Sequence, residues 1–142
     1  MLQQMELRAT ILAFLTSMAI GLTLVSILGA FCFFGFSEQV LGAPEALINM
    51  LFFVPAAALG FVAGRLALEK PLVTALLAGL ISATFWSVLI NVLAKTVDEA
   101  IPLYSTDDFL KTDLPSLLLG IVVAYFTFGV RQHSNKSFKA DA

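Results

Sequence analysis

Charged side chains are scarce in this chain. Only 13% of its 142 residues are Asp, Glu, Lys or Arg, and 59% are hydrophobic, whereas a soluble domain carries about 25% charged residues. A water-facing surface cannot be assembled from so few charges, and no room remains for a separate soluble catalytic domain. We therefore expect one helical membrane domain over residues 1–142. The lack of an extended basic surface argues against nucleic-acid partners.

Cysteine and histidine each occur once. Because Cys32 is the only cysteine, an intrachain disulfide is excluded, and a lone cysteine in an apolar segment usually acts as a small hydrophobic residue. The single histidine, His133, lies in the polar C-terminal segment. Histidine ligation of haem or metal inside the membrane by one chain is therefore excluded, and we expect no cofactor and no metal.

Four stretches contain no Asp, Glu, Lys, Arg or His: residues 9–37, 46–64, 71–94 and 114–130. A helix needs roughly 17–25 apolar residues to cross a bilayer. The sequence therefore predicts an all-α integral membrane protein with four transmembrane helices, over approximately 9–36, 46–66, 71–94 and 114–130. Residues 95–113 would form the outer loop, and residues 131–142 the cytoplasmic tail.

The charges separate by side of the predicted membrane. With both termini and the second loop on one side, that side receives six of the eight basic residues, which are Arg8, Arg65, Lys70, Arg131, Lys136 and Lys139. Seven of the ten acidic residues fall on the other side. The positive-inside rule then predicts that both termini are cytoplasmic. We expect the protein in a bacterial inner (cytoplasmic) membrane, in contact with membrane lipids.

Small residues recur at every fourth position in each predicted helix. Positions four apart share one helix face, and small side chains let helix backbones approach closely in a bilayer. The residues that we expect at helix-packing faces are Gly21, Ala56, Gly60, Gly64, Gly79, Ala83, Ser87 and Gly120.

The two halves of the chain can be aligned. A shift of 58 places Gly21 on Gly79, and a shift of 60 places Pro55 on Pro115 and Gly60 on Gly120. These matches favour two tandem hairpins related as a parallel repeat. The alternative is compositional coincidence, since the aligned prolines lie at different depths of their helices.

A few polar or helix-breaking residues mark a second region. Pro55 lies inside the second span and favours a kink. Asn91 could line a polar pocket or join two helices by a hydrogen bond. Trp86 lies in mid-span, where its indole N–H needs an acceptor. In the outer loop, Ser105 and Asp108 resemble a capping box that would begin a short helix.

No ionisable residue falls within the four predicted spans, which argues against ion coupling and against catalysis. We therefore expect a non-catalytic membrane subunit, assembly factor or scaffold, either a homo-oligomer or part of a larger complex. The alternative is a small oligomeric transporter or permeation unit for a neutral or lipid-like substrate, formed around Pro55 and Asn91.

Overall fold

A computed structural model describes residues 2–31, 34, 45–97 and 105–140. Its long helices are α1 (Leu2–Phe31), α2 (Glu45–Leu66), α3 (Pro71–Val97) and α4 (Leu114–Ala140). The predicted four-helix architecture is confirmed. Cys32 lies outside the described residues.

The helices extend beyond several of the predicted spans. Helix α1 begins at Leu2, seven residues before the predicted start at Ala9, and α4 continues through the predicted tail as far as Ala140. The segment before α4, predicted as an outer loop, is helical from Thr106. A turn over Thr106–Asp108 is followed by a π-helical turn, Phe109–Asp113, which leads directly into α4.

Three helical segments are long and apolar enough to cross a membrane: Gln3–Ala30, Pro71–Val92 and Leu110–Ser134. In α2, the corresponding apolar segment covers Phe52–Leu66 and is shorter.

Helix α2 is central to the packing. It contacts α1, α3 and α4, and its most extensive contacts are with α4 and α1. Helix α3 also contacts both α1 and α4, so these two helices flank the α2–α3 pair. The result is a four-helix bundle in which two helices contact all of the others.

The order of contacts gives the helix directions. Gly60 and Gly64 of α2 lie against Gly120 and Ala124 of α4, so these two helices run parallel and meet at residues 60 positions apart. Helices α1 and α3 are also parallel, because Ser17 contacts Ser82 and Gly21 contacts Trp86. These two pairs are 65 positions apart, whereas the sequence alignment of α1 with α3 used a shift of 58.

Small side chains fill the interior, and large apolar side chains face outward. The buried core consists mainly of alanines, and the largest fully buried side chain is that of Thr74. Leu15, Phe61, Leu118 and Phe126 are among the many large apolar residues exposed on the outside of the bundle. This distribution is typical of helices that associate through close backbone packing in lipid.

Candidate functional site: a cavity between the four helices

A half-open cavity of about 420 Å³ lies between the helices of the bundle. All four long helices contribute to its wall, for example through Val25 of α1, Leu59 of α2, Ala75 of α3 and Leu117 of α4. Binding sites for small ligands usually enclose about 300–1,000 Å³, with apolar walls and a few polar groups. Its volume and its wall therefore match those of a ligand site.

The cavity is long. Along α3, its lining extends from Ala75 to Ile90, a distance of about 22 Å at 1.5 Å per residue. It thus runs from the interior of the bundle towards the end at which α3 terminates. Apolar side chains that include Leu22, Phe52 and Leu89 form most of the wall between these two points.

Two of the three residues predicted near a polar pocket or kink line this cavity. Helix α2 continues through Pro55, which is buried against the cavity, and Trp86 is half-buried in its wall. Asn91 is half-buried near the same end of α3 but is not among the lining residues. The structure therefore brings Pro55 and Trp86 together and leaves Asn91 outside the wall.

Gly21 makes room for the Trp86 indole. A Cβ atom at position 21 would lie 2.6 Å from Cζ2 of Trp86, which is closer than real contacts permit. The indole also packs edge-on against Phe85, with ring centroids 6.1 Å apart. The glycine on α1 thereby fixes the position of the only tryptophan in the chain.

Most of the predicted packing residues lie at contacts between helices. A Cβ at Gly60 would collide with the Gly120 carbonyl oxygen, and one at Gly64 would lie 2.5 Å from the Ala124 carbonyl oxygen. A Cβ at Gly79 would collide with Leu117.

The other predicted small residues lie nearby. Gly120 faces the carbonyl oxygen of Ala56, Ala83 lines the cavity, and Ser87 is half-buried on α3.

Three serines provide hydroxyl groups at the cavity. Ser17 and Ser82 lie 3.4 Å apart across the α1–α3 contact and are both buried. Ser116 donates to the carbonyl oxygen of Asp113 at 2.8 Å. Five threonine hydroxyls instead donate to carbonyl oxygens within their own helices; these are Thr10, Thr16, Thr23, Thr84 and Thr96.

Asp113 also lines the cavity, and sequence reasoning missed it. The predicted fourth span began at Leu114, and Asp113 was assigned to the outer loop. In the structure, Asp113 is only 7% exposed and forms part of the cavity wall. A carboxylate just outside the predicted fourth span therefore lies in the wall of the cavity. The overlooked signal is Leu110, which lies four residues before Leu114 and continues the apolar face of α4 beyond the uncharged stretch.

A second polar arrangement holds the loop between α2 and α3. One carboxylate oxygen of Glu6 accepts hydrogen bonds from the backbone N–H groups of Leu68, Glu69 and Lys70 at 2.9–3.3 Å. The other oxygen accepts from Thr74 Oγ1 at 2.9 Å. Proline, which begins α3 at position 71, has no N–H to donate.

Arg131 holds the other side of the same loop. Its Nη1 atom donates to the carbonyl oxygens of Arg65 and Ala67 at 2.7 and 2.8 Å. These carbonyls lie at the C-terminal end of α2, where backbone acceptors lack helical partners. Side chains from α1 and α4 thus satisfy opposite sides of one connection, a role that the sequence did not indicate for either residue.

Within the described ranges, no group of three or more His, Cys, Asp or Glu side chains could hold a metal ion. Comparison with protein-family models, curated proteins and solved structures finds no match to this chain.

Proposed function

We propose that this chain is an integral membrane protein that binds a small, mainly apolar molecule in its central cavity. The observation that carries the proposal is the half-open 420 Å³ cavity, to which all four helices contribute and which is lined mostly by apolar side chains. A molecule that partitions into lipid could reach such a site. Its apolar part would fill cavity volume that water hydrates poorly. The proposed role is binding or permeation of a neutral or lipid-like substrate.

Insertion in a membrane is supported by the side chains on the outside of the bundle. Leucine, valine and phenylalanine cover the outer faces of all four helices, while alanine and glycine fill the interior. In water such an exterior would be an aggregation hazard, since soluble proteins rarely expose apolar patches above a few hundred Å². In lipid it is the expected exterior.

The orientation proposed from the charges places both termini in the cytoplasm of a bacterial inner membrane. Arg65 and Lys70 flank the α2–α3 loop, and Glu6 and Arg131 bind that loop from α1 and α4. The basic residues near both termini and the basic residues of this loop therefore lie at one end of the bundle, as the positive-inside rule requires of a cytoplasmic end.

A scaffold that docks partner helices on its glycine faces is less well supported. Gly60 and Gly64 already lie against α4, Gly79 lies against Leu117, and Gly21 lies against Trp86. A partner helix could not use these faces without displacing a helix of the same chain. Ligand binding in the cavity leaves the observed packing of these glycines intact.

The lone tryptophan provides the test. Because Trp86 lines the cavity, a brominated long-chain alcohol that enters should quench its fluorescence. We expect saturable quenching in purified protein reconstituted in lipid nanodiscs. Quenching that rises only in proportion to the probe in the bilayer would contradict the proposal.

Two phenylalanine substitutions on α3 form a matched pair for this experiment. Ala83→Phe adds a ring to the cavity wall, whereas Leu80→Phe adds a similar ring at an exposed position. We expect saturable binding to be lost in the Ala83 variant and kept in the Leu80 variant. Equal binding by both variants would place the probe elsewhere.

A further inference from the structure

We infer that Asp113 binds the positively charged head of the cavity's ligand, so that the ligand class is a single-chain aliphatic amine. This inference rests on the proposed function of the cavity and adds a chemical identity to its occupant. Three observations support it: the position of Asp113, the charge of the lining and the shape of the cavity.

Asp113 is brought to the cavity by an uncommon local structure. The π-helical turn Phe109–Asp113 lies immediately before α4, and Asp113 is its last residue. Such turns are rare and occur frequently at functional sites, because the extra residue changes which side chains face inward. Here the residue at the junction is more than nine-tenths buried and lies in the cavity wall.

The charge of the lining favours a cation. Among the described residues that line the cavity, Asp113 is the one acidic residue, and none is Lys, Arg or His. Lys111 is two residues away, but its ammonium pairs with Asp107 at 2.9 Å, and both of those side chains are 75% exposed. An ammonium group in the cavity would form charge-assisted hydrogen bonds with the Asp113 carboxylate, which a neutral head group of the same size cannot form.

The shape of the cavity favours a single chain. Asp113 and Ser116 lie where α4 begins, while Leu59 and Ala75 line the part deeper in the bundle. Along α4 the lining extends from Asp113 to Gly120, about 10 Å at 1.5 Å per residue, and Leu59 lies beside Gly120. A linear molecule with its head at Asp113 and an alkyl chain directed towards Leu59 matches this distribution of polar and apolar groups.

The experiment compares two probes with identical chains, dodecylamine in its ammonium form and dodecanol. Each is titrated against the protein in nanodiscs of zwitterionic lipid, and Trp86 fluorescence reports occupancy. We expect the amine to bind about tenfold or more tightly than the alcohol, as a charge-assisted hydrogen bond would provide.

Two carboxylate substitutions separate the cavity from the surface. Asp113→Asn should reduce amine affinity about tenfold and leave dodecanol binding unchanged. Asp107→Asn removes an equal charge from an exposed position in the same segment and should change neither affinity. An equal loss of amine binding in both variants would assign the effect to surface charge and overturn the inference.

The remaining outcomes distinguish the two proposals. Equal wild-type affinities for the amine and the alcohol would overturn the cationic ligand and leave the cavity as a neutral site. A saturable response to neither probe would overturn the proposed function itself. If Asp113→Asn does not fold, a competition experiment on wild-type protein tests the inference. Dodecylammonium should displace a bound brominated alcohol at about one tenth of the concentration that dodecanol requires, and equal concentrations would overturn the inference.

Discussion

At the scale of single residues, the absence of a side chain decides how α2 and α4 meet. Gly60 lies against the backbone of Gly120, and Gly64 lies against the backbone of Ala124. Close contact between backbones adds dispersion contacts, which are the main source of helix association where lipid is as apolar as leucine. Even one methyl group at these positions would force the two helices apart.

Gly60→Ala should therefore lower the free energy of unfolding by about 1–3 kcal/mol, the usual cost of overpacking. Thermal unfolding in mild detergent, followed by circular dichroism, measures the change. Gly29→Ala is the matched control, because a Cβ there has nothing within 4 Å. The control should unfold at or slightly above the wild-type temperature, since alanine favours helix over glycine. Equal destabilisation by both substitutions would contradict this account of the α2–α4 contact.

At the scale of elements, the α2–α3 connection is stabilised by helices distant from it in sequence. Glu6 of α1 accepts three backbone hydrogen bonds from the loop, and Arg131 of α4 donates to two of its carbonyl groups. Satisfying buried or partly buried backbone groups matters more in an apolar environment than in water. The short loop thereby fixes the relative positions of all four helices at this end of the bundle.

Glu6→Gln removes the negative charge and should cost about 1.5–3 kcal/mol, the usual range for hydrogen bonds to a charged group. We also expect faster hydrogen exchange at the amides of Leu68, Glu69 and Lys70, measured by mass spectrometry. Glu69→Gln is the control, since the exposed side chain at position 69 lies in the same loop. Unchanged exchange in the Glu6 variant would show that its carboxylate does not protect these amides.

The tandem hairpin repeat stays a prediction at this scale. The α2–α4 contact joins positions 60 apart, as the alignment of those helices requires. The α1–α3 contact joins positions 65 apart, two turns away from the aligned positions. If the two hairpins are a repeat, the α2–α4 contact has kept the aligned register, and α1 is displaced along α3 by seven residues from that register.

At the scale of the whole molecule, the distribution of charge predicts which end faces the cytoplasm. The test uses a background chain without cysteine, Cys32→Ser. Into it a single cysteine is introduced at one of three positions that are exposed in the structure, by Glu69→Cys, Asp107→Cys or Ser134→Cys. A membrane-impermeant maleimide applied to intact cells should label only the Asp107 variant. Labelling of the Glu69 and Ser134 variants alone would reverse the proposed orientation.

Composition and residue order were sufficient to predict four helices, because uncharged stretches of this length have few other stable structures. The recurrence of small residues at every fourth position also predicted which helix faces pack together, because positions four apart lie on the same face of a helix. The ends were less predictable. Glu6 and Asp113 lie just outside the uncharged stretches. Their positions depend on contacts with other helices: Glu6 binds the α2–α3 loop, and Asp113 lies in the wall of a cavity formed by all four helices.

The sequence by itself determined the elements, because hydropathy and helix geometry act along the chain. The tertiary structure alone decided that a cavity forms between all four helices, with Trp86 beside Gly21 and Asp113 in its wall. These are contacts between residues far apart in sequence, and their geometry depends on how four helices pack at once. Among the described residues, Asp113 is the one acidic residue that lines the cavity. Its position there became visible only when the start of α4 was placed against the other three helices.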